Sequence, residues 1–127
     1  MVAFSFKKQH AAAVESGDKT QTMRKGPQRA KVGDRLQLYT GQRTKACRKL
    51  GEAVCIAAIP VRFNPTFFAL DNEPLDYDLR EVMAIADGFK NWQKLVEFFF
   101  PVYWSETDPT NADFVGYLYK WRLDNVS

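Results

Sequence analysis

The sequence predicts an α+β fold that is mainly β, a small barrel of strands capped by helices. The chain reads as one helical pattern, several strand patterns, two further helices and a last strand. The connections between successive strand patterns favour antiparallel pairing. Residues 114–123 alternate strongly between opposite faces, as a long closing strand does.

Length and composition restrict the class of protein. A chain of 127 residues predicts a single domain spanning 1–127. No apolar run approaches the roughly 20 residues of a membrane-spanning helix. Residues 1–9 lack the apolar segment of a secretion signal. We therefore expect a cytoplasmic protein with no membrane partner.

The cysteine and histidine content argues against a metal site. Cys47 and Cys55 are expected to be reduced in the cytoplasm, and a cross-strand disulfide is the alternative in an oxidising host. His10 is the single histidine, and the chain has no CxxC motif. We predict neither a metal nor a cofactor.

Positive charge is concentrated in the first part of the chain. Residues 1–51 hold twelve Lys and Arg against three Asp and Glu, whereas residues 52–127 hold six against twelve. The asymmetry fits two halves that attract each other, and it equally fits a basic surface for phosphates.

The first elements are a short strand or extended lead-in, a helix and a strand. Met1–Phe6 alternates, and the alanine-rich stretch Lys7–Ser16 favours a helix. Gly17 predicts the end of that helix, because glycine tolerates positive φ. Alternation over Thr20–Arg24 predicts the next strand, with Met23 toward the core.

Two basic loops flank the following strand. Lys25–Lys31 holds a glycine and a proline, and Thr40–Gly51 holds four cations. Between them Arg35–Tyr39 alternates, which predicts a strand with Leu36 and Leu38 inward.

The rest of the chain predicts strands around a helical pair. Glu52–Phe63 is a strand pattern interrupted by a proline, which indicates an edge or a bulge, and Phe67–Leu70 is a short strand followed by a turn over Asp71–Pro74. Tyr77–Ala86 has helical spacing, and Asn91 is a candidate cap for a helix that lasts until Pro101. A loop is predicted over Glu106–Ala112, before the closing strand.

Four segments, in this order, resemble the ASCH domain, a member of the PUA-like superfamily of small β-barrels. Residues 17–24 (GDKTQTMR) match the family pattern GxKxxTxR, and residues 32–36 (VGDRL) match its step into the next strand. Residues 86–89 (ADGF) precede a helix that ends in paired phenylalanines and is followed by Tyr103, and an aromatic strand closes the chain. The resemblance covers most of the sequence.

The resemblance implies a barrel of five or six strands, with two to four helices flanking a cleft. The family is linked to RNA binding, and some short members are amidohydrolases that deacylate acylated cytidine. It also implies a catalytic set of Lys19, Thr22 and an acid. The acid falls at Asp87, with Glu81 as the nearest glutamate.

The residues themselves suggest how a ligand would be held. Thr20, Thr22 and Arg24 share one face of their strand, and an arginine fork matches phosphate or carboxylate. Tyr39 is a candidate for stacking on a base. In the second basic loop Arg43 and Lys45 are candidate phosphate donors, although a solvated hairpin explains them equally well.

These features lead to three functional hypotheses. The first is recognition of RNA or a modified nucleoside in a basic cleft, and the second is an amidohydrolase acting on N-acetylcytidine. As a base, Lys19 would need its pKa lowered by burial or by nearby cations. Ribonuclease activity is the third hypothesis, and the sequence offers no residue set specific to it. The sequence makes no prediction of the oligomeric state.

Overall fold

A computed structural model describes residues 1–64, 67–103 and 113–124, with side chains described for all of these except 100–103. The fold is α+β and mostly strand, which confirms the coarse prediction. The elements, in chain order, are β1 (Val2–Phe6), α1 (Lys8–Ser16), β2 (Gln21–Lys25), β3 (Arg35–Thr40), β4 (Arg48–Asn64), β5 (Phe67–Leu70), β6 (Glu73–Pro74), α2 (Tyr77–Ala86), α3 (Trp92–Tyr103) and β7 (Phe114–Leu123).

The strands form one open, mixed sheet. Its path is β1-β3-β4-β5-β6, and β7 pairs with both β4 and β2. β3, β4, β5 and β6 pair antiparallel in sequence. β1 pairs parallel to β3, so the expectation of antiparallel pairing is wrong there. The reason is that α1 and β2 lie between these two strands, which provides the long crossover that parallel pairing needs. Over the described residues, closure of this sheet into a barrel is not shown.

Two predicted boundaries are wrong. β4 begins at Arg48, inside the predicted loop Thr40–Gly51, because Leu50 is buried and the strand pairs with the end of β3. α3 continues through Pro101 to Tyr103. Proline's fixed φ of about −65° is compatible with a helix, at the loss of one backbone hydrogen bond.

The remaining element predictions are mostly confirmed. The closing strand and α2 have the predicted bounds. Gly17 ends α1 with φ 88°, and Asn91 caps α3 by accepting the Lys94 N–H at 2.8 Å. The predicted turn Asp71–Pro74 includes the two-residue strand β6. The predicted loop over 106–112 lies outside the described residues.

The chain divides into two compact units, and the division falls within β2, β4 and β7. Unit 1 comprises Met1–Thr22, Gln28–Ala58 and Tyr119–Ser127, and unit 2 comprises Met23–Pro27 and Ile59–Leu118. Unit 1 holds twelve Lys and Arg against five Asp and Glu, whereas unit 2 holds six against ten. The basic character belongs to unit 1. A single domain over 1–127 stays a prediction.

The core of unit 1 is built from inward-facing strand residues and one helix face. Leu36 and Leu38 on β3 are fully buried, as their alternation predicts. Aromatic rings of β1 pack against rings of β7, Phe4 on Tyr119 with centroids 5.0 Å apart and Phe6 on Trp121 at 5.7 Å. The contacts place aromatic side chains of the two ends of the chain in one core.

The core of unit 2 is an aromatic cluster around Phe63 of β4. Its ring stacks with Phe68 at 5.1 Å and Phe114 at 4.7 Å between centroids, and Phe99 meets it edge-on at 5.3 Å. α2 and α3 contribute further buried apolar side chains to this cluster. The cluster accounts for much of the chain's high phenylalanine content.

Two further observations concern the membrane and the cysteines. Among the described residues, no helix is both long and apolar enough to span a bilayer. Both cysteine thiols are free: Cys47 is exposed and Cys55 is buried. Burial raises the pKa of the Cys55 thiol above its usual range.

Candidate functional site

Lys19 lies in the turn that joins α1 to β2, and its side chain is buried. The Gly17 N–H donates to the Val14 carbonyl, and the Lys19 N–H donates to the Ala13 carbonyl at 2.9 Å. These bonds fold the turn back over the last turn of α1. Lys19 is only 4% exposed. The side chain is therefore shielded from solvent, although lysines in turns are usually solvated.

β2 buries polar side chains beside this turn. Gln21 and Thr22 are 3% and 6% exposed, whereas Thr20 is exposed and its carbonyl accepts the Trp121 N–H at 3.0 Å. Buried polar groups need hydrogen-bond partners. Lys19, Gln21 and Thr22 thus form a run of buried polar residues in the segment that matches GxKxxTxR, and we call it the Lys19 segment.

The electrostatics of unit 1 place a second ionisable group near Lys19. Burial is the main cause that lowers the pKa of His10 below its usual value, and the charges of Lys19 and Lys7 lower it further. His10 is therefore within electrostatic reach of both lysines.

The loop after β3 is tightly folded. Gly41 has φ 64°, and its carbonyl accepts both the Thr44 N–H at 3.0 Å and the Thr44 hydroxyl at 2.6 Å. A Cβ on Gly41 would lie 2.8 Å from the Ala46 carbonyl oxygen, so only glycine fits there. The predicted donors Arg43 and Lys45 are exposed on this loop.

Tyr39 lies at the end of the strand before the loop. It is half-buried, and its hydroxyl donates to the Gln37 side chain at 3.2 Å. The strand register shifts between Leu38 and Tyr39. Stacking of the Tyr39 ring on a base stays a prediction.

Unit 1 also contains an open groove of about 720 Å³. It lies where the end of β1, the start of α1, the loop after β3 and the start of β4 meet. Cations, a hydroxyl, the loop glycine and a buried ring line it, among them Phe6, Lys7, Lys8, Thr40, Gly41 and Arg48. We call it the Arg48 groove. Arg48 forms an ion pair with Glu15, the Nη1 and Oε2 atoms being 2.6 Å apart.

The other predicted site residues belong to unit 2. Asp87 is 4% exposed and ends α2, where its N–H donates to the Met83 carbonyl. Arg24 on β2 is half-buried. Glu81, the alternative acid, is half-buried, and its carboxylate accepts the Trp92 N–H at 3.3 Å. Glu81 thus has a structural role at the start of α3.

Sequence reasoning missed the Arg48 groove. It treated Lys7 and Lys8 as the start of a helix and Arg48 as part of a loop. A signal was available in the basic pair just before the alanine-rich helix, since small alanines leave room beside cations. The juxtaposition itself depends on strand pairing: Phe6 pairs with Thr40, and Thr40 with Arg48.

Within the described part of the chain, the structure contains no group of three or more His, Cys, Asp or Glu side chains suited to a metal ion. Comparison with known proteins gives no match to a family model, to a curated protein or to a solved structure.

Proposed function

We propose that this chain is an ASCH-type domain with a PUA-like barrel that recognises RNA or a modified nucleoside. The observation that carries the proposal is the burial of Lys19, in the segment matching GxKxxTxR, within a unit rich in cations. Lysine is almost never fully buried unless its charge is paired. A buried lysine in the same segment as a buried threonine is therefore a candidate for a specific interaction rather than for solubility.

The chemistry of the Lys19 segment suits an anionic or carbonyl-rich ligand. An ammonium group donates three hydrogen bonds, and a threonine hydroxyl both donates and accepts. Hydrogen bonds from these two groups are stronger in a site that contains little water. Nucleobase carbonyls and phosphate oxygens are acceptors of this kind, and the exposed Arg43 and Lys45 add positive charge to the same unit.

A salt titration of RNA binding tests this proposal. A fluorescent single-stranded RNA is titrated with the protein at several salt concentrations, and the anisotropy gives the affinity. With three to four phosphate contacts, the slope of log K against log salt is about −2 to −3, at about −0.7 per contact on single strands. Arg43→Ala and Lys45→Ala each make this slope shallower by about 0.7.

Lys90→Ala is the matched control, because Lys90 is an exposed cation of the acidic unit 2. It leaves both affinity and slope unchanged. Lys19→Ala weakens binding while the circular dichroism spectrum stays that of the folded protein. An affinity that does not fall as salt rises contradicts phosphate contacts, and equal effects of Lys90→Ala and Arg43→Ala contradict a localised site.

Amidohydrolysis is the second candidate, and a specific observation favours it. Of the expected catalytic set, Lys19 and Thr22 are buried in unit 1 at 4% and 6% exposure, and Asp87 is separately buried in unit 2 at 4%. The scheme requires Lys19 in its neutral form, because only that form accepts a proton. In this scheme Lys19 takes the proton of Thr22, whose hydroxyl oxygen attacks the acyl carbon.

The reaction is tested with N-acetylcytidine. Water is consumed, the amide C–N bond breaks, and cytidine and acetate form, so chromatography follows both products. Thr22→Ala and Lys19→Ala abolish the reaction, and Asp87→Asn tests the acid. Absence of product with the unaltered protein refutes amidohydrolysis, and so does undiminished product with Lys19→Ala. Neither result bears on the binding proposal.

A further inference from the structure

We propose that the Arg48 groove is a binding site for the phosphate group of a nucleotide. No residue is shared between this site and the Lys19 segment. The inference therefore goes beyond the proposed function and stands or falls separately from it. Its basis is a cavity with a cationic rim, a preformed loop and an apolar floor, all within unit 1.

The cations of the rim are brought together by the sheet. Lys7 and Lys8 follow the last residue of β1, and Arg48 is the first residue of β4. β3 lies between those strands, and its last residue, Thr40, pairs with the end of β1 on one side and with Arg48 on the other. Three positive charges therefore line one groove. An arginine fork and lysine ammonium groups are the usual protein ligands of phosphate.

The wall formed by the loop is fixed before any ligand arrives. Thr40 donates its hydroxyl to the Phe6 carbonyl at 2.8 Å, which ties the start of the loop to β1. Inside the loop the Thr44 hydroxyl accepts the Ala46 N–H at 3.1 Å. Gly41 packs against Ala46 without room for a side chain. Such preorganisation reduces the entropy lost on binding.

The floor and the size of the groove indicate a ligand larger than phosphate alone. Phe6, Ala11, Ala12 and Ala46 line it, and alanines leave space for a flat group. Its volume, about 720 Å³, lies in the range of roughly 300–1,000 Å³ typical of small-molecule sites. A nucleoside monophosphate satisfies both requirements: its phosphate meets the cations and its ring meets the floor.

Glu15 supplies a sharp test, because its carboxylate is the present partner of Arg48. Both side chains are about half exposed, at 53% for Arg48 and 48% for Glu15. A phosphate would compete with this carboxylate for the guanidinium. Removing the negative charge by Glu15→Gln therefore tightens phosphate binding, by about two- to fivefold for an exposed charge pair.

The experiment is an NMR titration of the full chain, which follows the backbone amides. Cytidine 5′-monophosphate is the probe, with cytidine and inorganic phosphate in parallel. The monophosphate is expected to shift the amides of Gly41, Gln42 and Ala46 in a saturable way. Inorganic phosphate shifts the same amides at higher concentration, and cytidine does not. Equal shifts from cytidine and its monophosphate overturn the proposal, as does the absence of shifts from both phosphates.

Two kinds of variant test separately the positive charge of the groove and the shape of the loop after β3. Lys8→Ala and Arg48→Ala each weaken monophosphate binding by about five- to tenfold, whereas Lys31→Ala, which removes an exposed cation outside the groove, changes it less than about twofold. Gly41→Ala keeps every charge but distorts the loop, and it too weakens binding. Equal losses from Lys31→Ala and Lys8→Ala overturn the proposal, because they would indicate diffuse attraction.

The Lys19→Ala variant distinguishes the two proposals. If it loses RNA binding but keeps the monophosphate shifts at Gly41, both sites stand. If the chain binds no RNA but retains these shifts, only the proposed function fails. If RNA binds and the groove amides respond to neither phosphate, only the groove proposal fails.

Discussion

Removing one buried hydroxyl should loosen the first basic loop. Tyr119 on β7 is fully buried, and its hydroxyl accepts the Arg29 N–H at 2.7 Å. The Arg29 guanidinium in turn donates to the Ala3 carbonyl at 2.7 Å and lies 4.6 Å from the centre of the Phe4 ring. Together these contacts attach the loop to β1 and β7. The variant Tyr119→Phe keeps the ring and deletes the acceptor.

The expected cost follows from the geometry. A net hydrogen bond contributes about 0.5–1.5 kcal/mol, and a donor left unsatisfied in the interior costs about 1–3 kcal/mol. This hydrogen bond is only partly buried, so we expect a cost in the lower range. We expect the free energy of unfolding to decrease by about 1 kcal/mol, which for a chain of this size lowers Tm by about 3–4 °C.

Urea denaturation followed by circular dichroism measures this change. Tyr77→Phe is the control, since Tyr77 is 60% exposed and its loss of a hydroxyl should be neutral. Hydrogen exchange at the Arg29 amide provides an independent test, because exchange accelerates when the acceptor is gone. A Tyr119→Phe variant as stable as Tyr77→Phe, with unchanged exchange at Arg29, would show that the Tyr119 hydroxyl does not hold the loop.

Three further predictions follow from the structure. NMR titration of His10 is expected to give a pKa below its usual value, and Lys19→Met is expected to raise that pKa. Because the unfolded state of the unaltered protein binds the His10 proton more readily than the folded state, stability falls on acidification through about pH 6.5. The variant His10→Gln flattens this dependence of stability on pH. Hydrogen bonds from the Asn64 and Arg62 side chains lower the pKa of Asp113, so its contribution to the free energy of unfolding is present at neutral pH and lost as the pH falls through the depressed pKa. Urea denaturation should therefore show that Asp113→Asn is less stable than the unaltered protein at pH 7 and equally stable in acid. Gly116→Ala destabilises the protein by about 2 kcal/mol or more by thermal unfolding, because its Cβ would lie 2.1 Å from the carbonyl oxygen of residue 24; a neutral result would contradict the close approach of β2 and β7.

Local rules predicted most of the elements of this fold. Alternation located β7 and the buried leucines of β3, and cap chemistry located the end of α1 at Gly17 and the start of α3 at Asn91. The failures arose where long-range pairing outweighs local pattern. Arg48 and its basic neighbours look like a loop, but pairing with β3 makes them a strand.

The candidate site, too, was predictable only in part from local sequence pattern. Lys19 and Thr22 became candidates because residues 17–24 match the pattern GxKxxTxR, but their burial depends on how the turn packs on α1. The order of elements also could not reveal that Lys8 and Arg48 line one groove, because that follows from strand pairing. Residue type and spacing indicate candidate chemistry, whereas burial and proximity come from the tertiary structure.

A crystal structure of the protein with a bound short RNA or cytidine nucleoside tests the central claim most directly. We expect ligand oxygen atoms within about 3.2 Å of the Lys19 ammonium and the Thr22 hydroxyl, the distance of a hydrogen bond. A ligand bound elsewhere, with the Lys19 side chain contacting protein atoms alone, would contradict it.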